Sequence, residues 1–84
     1  MSYSLFILPR AQKELAALPN QQLEIAESKL GSLRENPRPP GCKKLADRRG
    51  WRIRFGDYRI LYRIDDQNKT VTITNVGNRR EIYR

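Results

Sequence analysis

With 84 residues the chain has room for one domain, whose small core predicts a stability on the order of 5 kcal/mol. There is no histidine and a single cysteine, Cys42, which excludes histidine chemistry and an internal disulfide and suits a reducing compartment. No run approaches the ~20 apolar residues of a membrane span, and the apolar stretch Leu5 to Leu8, cut off by Pro9, is too short for a signal peptide; a cytoplasmic protein is expected.

Net charge is +8, from 17 Lys and Arg against 9 acids. The excess is one-sided. Residues 1–40 carry five bases and four acids, whereas residues 41–84 carry twelve bases and five acids, nine of the twelve being Arg. A localised Arg-rich excess points to a polyanion, with nucleic acid ahead of membrane, because the basic half does not read as an amphipathic helix.

Tyr3 to Leu8 reads as a short strand, and Pro9 suits the first turn of a helix. Ala11, Leu15 and Leu18 fall on one stripe of that helix. After the Pro19-Asn20 break, Asn20 is a candidate N-cap for a second helix reaching about Arg34, with Leu23, Ala26, Leu30 and Leu33 inward and Glu24, Glu27 and Ser28 outward. Gly31 weakens its last turn by roughly 1 kcal/mol. Pro37, Pro39 and Pro40 stop it and open a linker to about Gly50.

The period then changes to two. Trp51, Ile53 and Phe55 alternate with Arg52 and Arg54; Gly56-Asp57 is a two-residue hairpin signal with Gly first, as a type II′ turn requires. Tyr58, Ile60, Tyr62 and Ile64 alternate with Arg59, Leu61 and Arg63, and after a polar turn Val71, Ile73 and Asn75 alternate with Thr72, Thr74 and Val76. The predicted fold is α+β: an N-terminal strand, a helical hairpin, and a three-stranded antiparallel meander with both helices on one face.

The two-residue turn fixes the register. It sets Phe55 opposite Tyr58, Arg54 opposite Arg59, Ile53 opposite Ile60 and Trp51 opposite Tyr62. One face is then core, and the other carries Arg52, Arg54, Arg59 and Arg63 with Leu61 among them. Arg54 facing Arg59 is a like-charge pair, which costs stability. Such unrewarded choices mark function, and an anion between the two planar forks would supply the compensation. Arg79 or Arg80, after Gly77, can turn toward this face, with Tyr83 a short step later.

This inventory offers no metal site and no Ser–His nucleophile. Arg cannot act as a base, but it stabilises charge on a pentavalent phosphate. RNA suits such a kit, since its own 2′-hydroxyl attacks the adjacent phosphate. Tyr83 is the candidate base, its ordinary pKa of about 10 favoured downward by clustered cations. The expected reaction is metal-free and cofactor-free cleavage to a 2′,3′-cyclic phosphate or 3′-phosphate. Lys43, Lys44, Arg48, Arg49, Arg63 and Arg80 are candidates for holding RNA.

The sequence resembles the RelE/ParE toxin superfamily along nearly its whole length. The resemblance lies in Pro9-Arg10-Ala11-Gln12-Lys13-Glu14-Leu15, in Lys44-Leu45, in the block from Trp51 to Tyr62 and in the ending Val76 to Tyr83. It implies two helices on an antiparallel sheet, a type II toxin of the RelE branch cleaving mRNA in the ribosomal A site, and a cognate antitoxin that neutralises it. It places the RelE-type catalytic set on Arg52, Arg54, Arg59, Arg79 and Tyr83. Two other readings stay open: a ParE-like inhibitor of DNA gyrase, and a non-enzymatic RNA- or ribosome-binding module.

Overall fold

Prolines begin both helices. Leu8 is extended because it precedes Pro9, and helix α1 (Pro9–Ala16) starts at that proline. Helix α2 (Asn20–Glu35) is preceded by Pro19, whose extended backbone makes it the N-cap residue; its carbonyl accepts the Leu23 N–H at 2.9 Å. Asn20, expected as the cap, is therefore the first helical residue. Gly31 does not end α2, since Ala26, Leu30 and Leu33 are buried along its inner face and their burial outweighs the glycine's cost.

The computed structural model describes residues 2–45 and 50–78. Five strands form one sheet: β1 (Ser4–Ile7), β2 (Lys43–Lys44), β3 (Trp51–Phe55), β4 (Tyr58–Asp65) and β5 (Thr70–Asn78), in the order β1-β5-β4-β3-β2. The expected meander β3-β4-β5 is its antiparallel centre. β1 joins parallel to β5, and β2 joins antiparallel to β3.

β2 lies inside the stretch expected to be linker. Two exposed lysines give no alternation to read; the strand is held by backbone pairing instead. Beyond it, the Leu45 N–H donates to the Gly50 carbonyl at 2.9 Å. Gly50 permits this approach: a Cβ there would stand 3.2 Å from the Tyr62 carbonyl oxygen and 3.5 Å from Leu45 Cδ1.

A second departure is a bulge. Leu61 pairs with Asn75 but Tyr62 pairs with Ile73, so Thr74 is an extra residue in β5. Its hydroxyl donates to the Leu61 carbonyl at 3.2 Å. The alternation predicted for this strand thus skips a beat: Val71, Ile73 and Val76 are buried in the core, and Asn75 shares the opposite face with Leu61.

The core joins Ala11, Leu15 and Leu18 to Ala26, Leu30 and Leu33 above Ile53, Phe55, Ile60, Tyr62, Val71, Ile73 and Val76. Tyr62 is buried to its tip, and its hydroxyl donates to the Pro37 carbonyl at 2.8 Å, tying the proline segment to the sheet. Burial, with Cys42 nearby, pushes its pKa well above the ordinary phenol value. Arg38 forks onto Asp66 at 3.1 and 2.7 Å, its guanidinium lies 5.1 Å from the Trp51 ring, and the Tyr3 hydroxyl donates to Asp66 at 2.7 Å. β1 pairs with β5 only as far as Ile73. Past that point the Val76 N–H donates to Glu14 Oε1 of α1 at 2.8 Å.

Candidate functional site

Gly56 has φ +55° while Asp57 stays out of the left-handed region, the pattern of a type II′ turn. That turn sets the expected register in full: Phe55 opposite Tyr58, Arg54 opposite Arg59, Ile53 opposite Ile60, Arg52 opposite Leu61 and Trp51 opposite Tyr62. Directly opposed residues project to one face. Arg52, Arg54, Arg59 and Arg63 therefore stand together on the face away from the helices.

Their environments differ. Arg54 and Arg63 are exposed, whereas Arg52 and Arg59 keep only 9 % and 8 % of their surface. Leu61, 4 % exposed, sits on this face rather than in the main core, directly opposite Arg52. Guanidinium heads can remain polar while their stems cover such an apolar residue. A buried Arg has less rotamer freedom to lose on gripping an anion than a solvated one.

The strands on either side complete the face. Arg59 is opposite Gly77 on β5, which leaves the neighbouring place without a side chain. Arg52 is opposite Lys43 on β2, so Lys43 joins the arginines, while Lys44 pairs with Trp51 and belongs to the other side of the sheet. Lys43 was among the sequence candidates, but nothing in the linker's composition showed that it would be strand-paired with Arg52. Arg48, Arg49, Arg79, Arg80 and Tyr83 lie outside the described residues. No helix among the described residues is long and apolar enough to cross a membrane.

A family model described as the ParE toxin of the parDE type II toxin–antitoxin system matches residues 5–83. The chain belongs to the RelE/ParE toxin superfamily. Toxin RelG of Mycobacterium tuberculosis is 36 % identical to it, over 100 % of this chain and 99 % of RelG. Among solved structures, the toxin–antitoxin complex RelBE2 of the same organism matches with a TM-score of 0.80 at 33 % identity, covering 94 % of this chain and 100 % of that one. The isolated RelE toxin of E. coli matches with a TM-score of 0.81 at 29 % identity, covering 98 % and 92 %.

This toxin of the RelE/ParE superfamily accordingly carries its arginines on the two strands that its most specific sequence block, Trp51 to Tyr62, builds. The signal that located them was the hairpin turn. The bulge at Thr74 and the pairing of Lys43 had no comparable signal.

Proposed function

We propose that this toxin is a metal-free endoribonuclease that cleaves mRNA, with the ribosomal A site as the place of action. The observation that carries the reading is the direct opposition of Arg54 and Arg59 on the open face, with Arg52 two residues from Arg54. A phosphate between two guanidinium groups offsets their repulsion, and the extra charge of the pentavalent transition state strengthens the same contacts. The substrate's 2′-oxygen is the nucleophile. Arg52, Arg54, Arg59 and Arg79 stabilise charge and align the strand, and Tyr83 takes the 2′-hydroxyl proton. Lys43, Arg48, Arg49, Arg63 and Arg80 extend the phosphate track, whereas Lys44, paired with Trp51 on the other side of the sheet, does not join it.

A cognate antitoxin is the second proposed partner. A strongly basic open face suits an acid-containing segment that folds on binding, and the RelBE2 relative is a toxin–antitoxin complex. Both partners place the protein in the cytoplasm.

The test is induction of the toxin alone and together with its antitoxin, followed by mapping of mRNA 5′ ends. New ends within ribosome-covered codons, absent when the antitoxin is present, are the expected result. Intact mRNA with lost plasmid supercoiling would replace this reading with gyrase inhibition; intact mRNA with normal supercoiling and stalled translation would leave a binding module.

A further inference from the structure

We propose that Lys43 is the general acid of this site, donating the proton that the leaving 5′-oxygen takes up. The inference rests on the ribonuclease reading above and extends it to the second half of the reaction.

The chemistry leaves a gap. As the 2′-oxygen bonds to phosphorus, the bond from phosphorus to the 5′-oxygen breaks and its electron pair goes to that oxygen. An alkoxide is a poor leaving group in water, so a proton delivered there speeds the step by about 10²–10⁴-fold. Arginine holds its protons too tightly to give one up. Among the described residues the open face carries Arg52, Arg54, Arg59 and Arg63, and its one ammonium is that of Lys43. The other described lysines lie elsewhere: Lys13 on α1, Lys29 on α2, Lys44 opposite Trp51, and Lys69 with its ammonium 5.1 Å from the Tyr3 ring.

Placement fits the role. Lys43 is the direct cross-strand neighbour of Arg52, and diagonal neighbours two residues along, as Arg54 is, stand about 7–8 Å away, within reach of a lysine side chain. Attack and departure must occur on opposite sides of phosphorus. The sheet order β5-β4-β3-β2 puts β2 on one flank of the Arg54–Arg59 pair and the end of β5, at Asn78, on the other. With its in-line axis across the strands, a phosphate held over that pair would turn one apical oxygen toward the β2 flank, where Lys43 stands. Lys43 is exposed, so the neutral amine left after transfer regains its proton from water.

A bridging sulfur in place of the 5′-oxygen separates this role from mere phosphate binding, because a thiolate leaves without a proton. Ribosomes are programmed with a short mRNA bearing either linkage at the position where the wild-type toxin cuts, and single-turnover rates are measured for the wild type, Lys43→Arg and Lys43→Ala. Lys43→Arg keeps the charge and loses the transferable proton. Expected is a loss of about 100-fold or more on the oxygen substrate and of less than about threefold on the sulfur substrate. Equal losses on both substrates, or none on either, overturn the assignment while the ribonuclease reading stands. A wild type that cuts neither substrate brings down both. Unchanged melting of the Lys43 variants keeps folding out of the comparison.

Discussion

Arg54 and Arg59 face each other across the β3–β4 hairpin, Arg54 in solvent and Arg59 with 8 % of its surface exposed. Two cations so placed repel one another, by about 0.2–1 kcal/mol for a cross-strand pair. On the proposed mechanism, a phosphate bound between the two guanidinium groups would offset that term.

Arg54→Ala removes the repulsion and, on the proposed mechanism, one of the phosphate's holders. At low ionic strength its melting temperature is expected to rise by a few degrees, since 1 kcal/mol corresponds to about 4–8 °C in a domain of this size. High salt should erase the gain by screening the pair. A lower melting temperature at low salt would show that Arg54 is stabilised where it stands.

Arg59→Ala and Tyr83→Phe should each relieve growth arrest on induction while leaving the purified protein folded. Full toxicity in both variants would remove these residues from the proposed chemistry.

The affinity of the toxin for single-stranded RNA should fall steeply with salt, with a slope of about −0.7 on logarithmic axes for each phosphate neutralised. If Arg52, Arg54, Arg59 and Lys43 each neutralise one phosphate, the slope should be about −2.8, and titration from low to physiological salt reads it directly. A flat response would mean that the arginine face does not carry RNA.

Tyr62→Phe leaves the Pro37 carbonyl without its donor beneath the proline segment. A buried acceptor so orphaned costs about 1–3 kcal/mol, and a melting temperature lower by roughly 5–15 °C is expected. Cleavage measured well below the transition should be unaffected, because the Tyr62 hydroxyl belongs to the helix side of the sheet and its raised pKa bars it from acting as a base.

Asp66 is held at a pKa of about 2, below its ordinary 3.8, first by the hydrogen bonds from Arg38 and then by that from Tyr3. A depressed carboxylate contributes stability above its unfolded pKa and loses it as pH falls through the folded value. Wild type should therefore melt above Asp66→Asn at pH 5 and converge with it as pH drops from about 4 to 2. The group is exposed, so the difference will be small and sensitive to salt. A gap independent of pH would point to a loss other than the charge.

The layout of helices and central strands was legible because burial follows period: Ala11, Leu15 and Leu18 at helical spacing, and Ile53 and Phe55 at strand spacing, all reached the core. The hairpin register was legible because Gly56-Asp57 admits one tight turn. β2 was hidden because two lysines on an edge carry no apolar signal, and their pairing is a backbone matter set by the fit of Gly50 against Tyr62. The bulge was hidden because Thr74 and Asn75 are both acceptable on either face of a strand, so the phase slip that buries Val76 left no mark in the pattern. The burial of Arg52 and Arg59 escaped for a related reason: an alternating Arg reads as solvated, and Leu61, though expected among the arginines, does not by itself tell which of them lose their exposure beside it.

The carboxylate of Glu14 occupies the spot where a further strand would bond to Val76. An unpaired sheet border invites copies of the same chain to stack onto it. Any such newcomer would first have to evict a charged oxygen anchored on α1, and would bring no comparable acceptor of its own until fully zipped. The helix thereby shields this stretch of the border against edge-to-edge stacking.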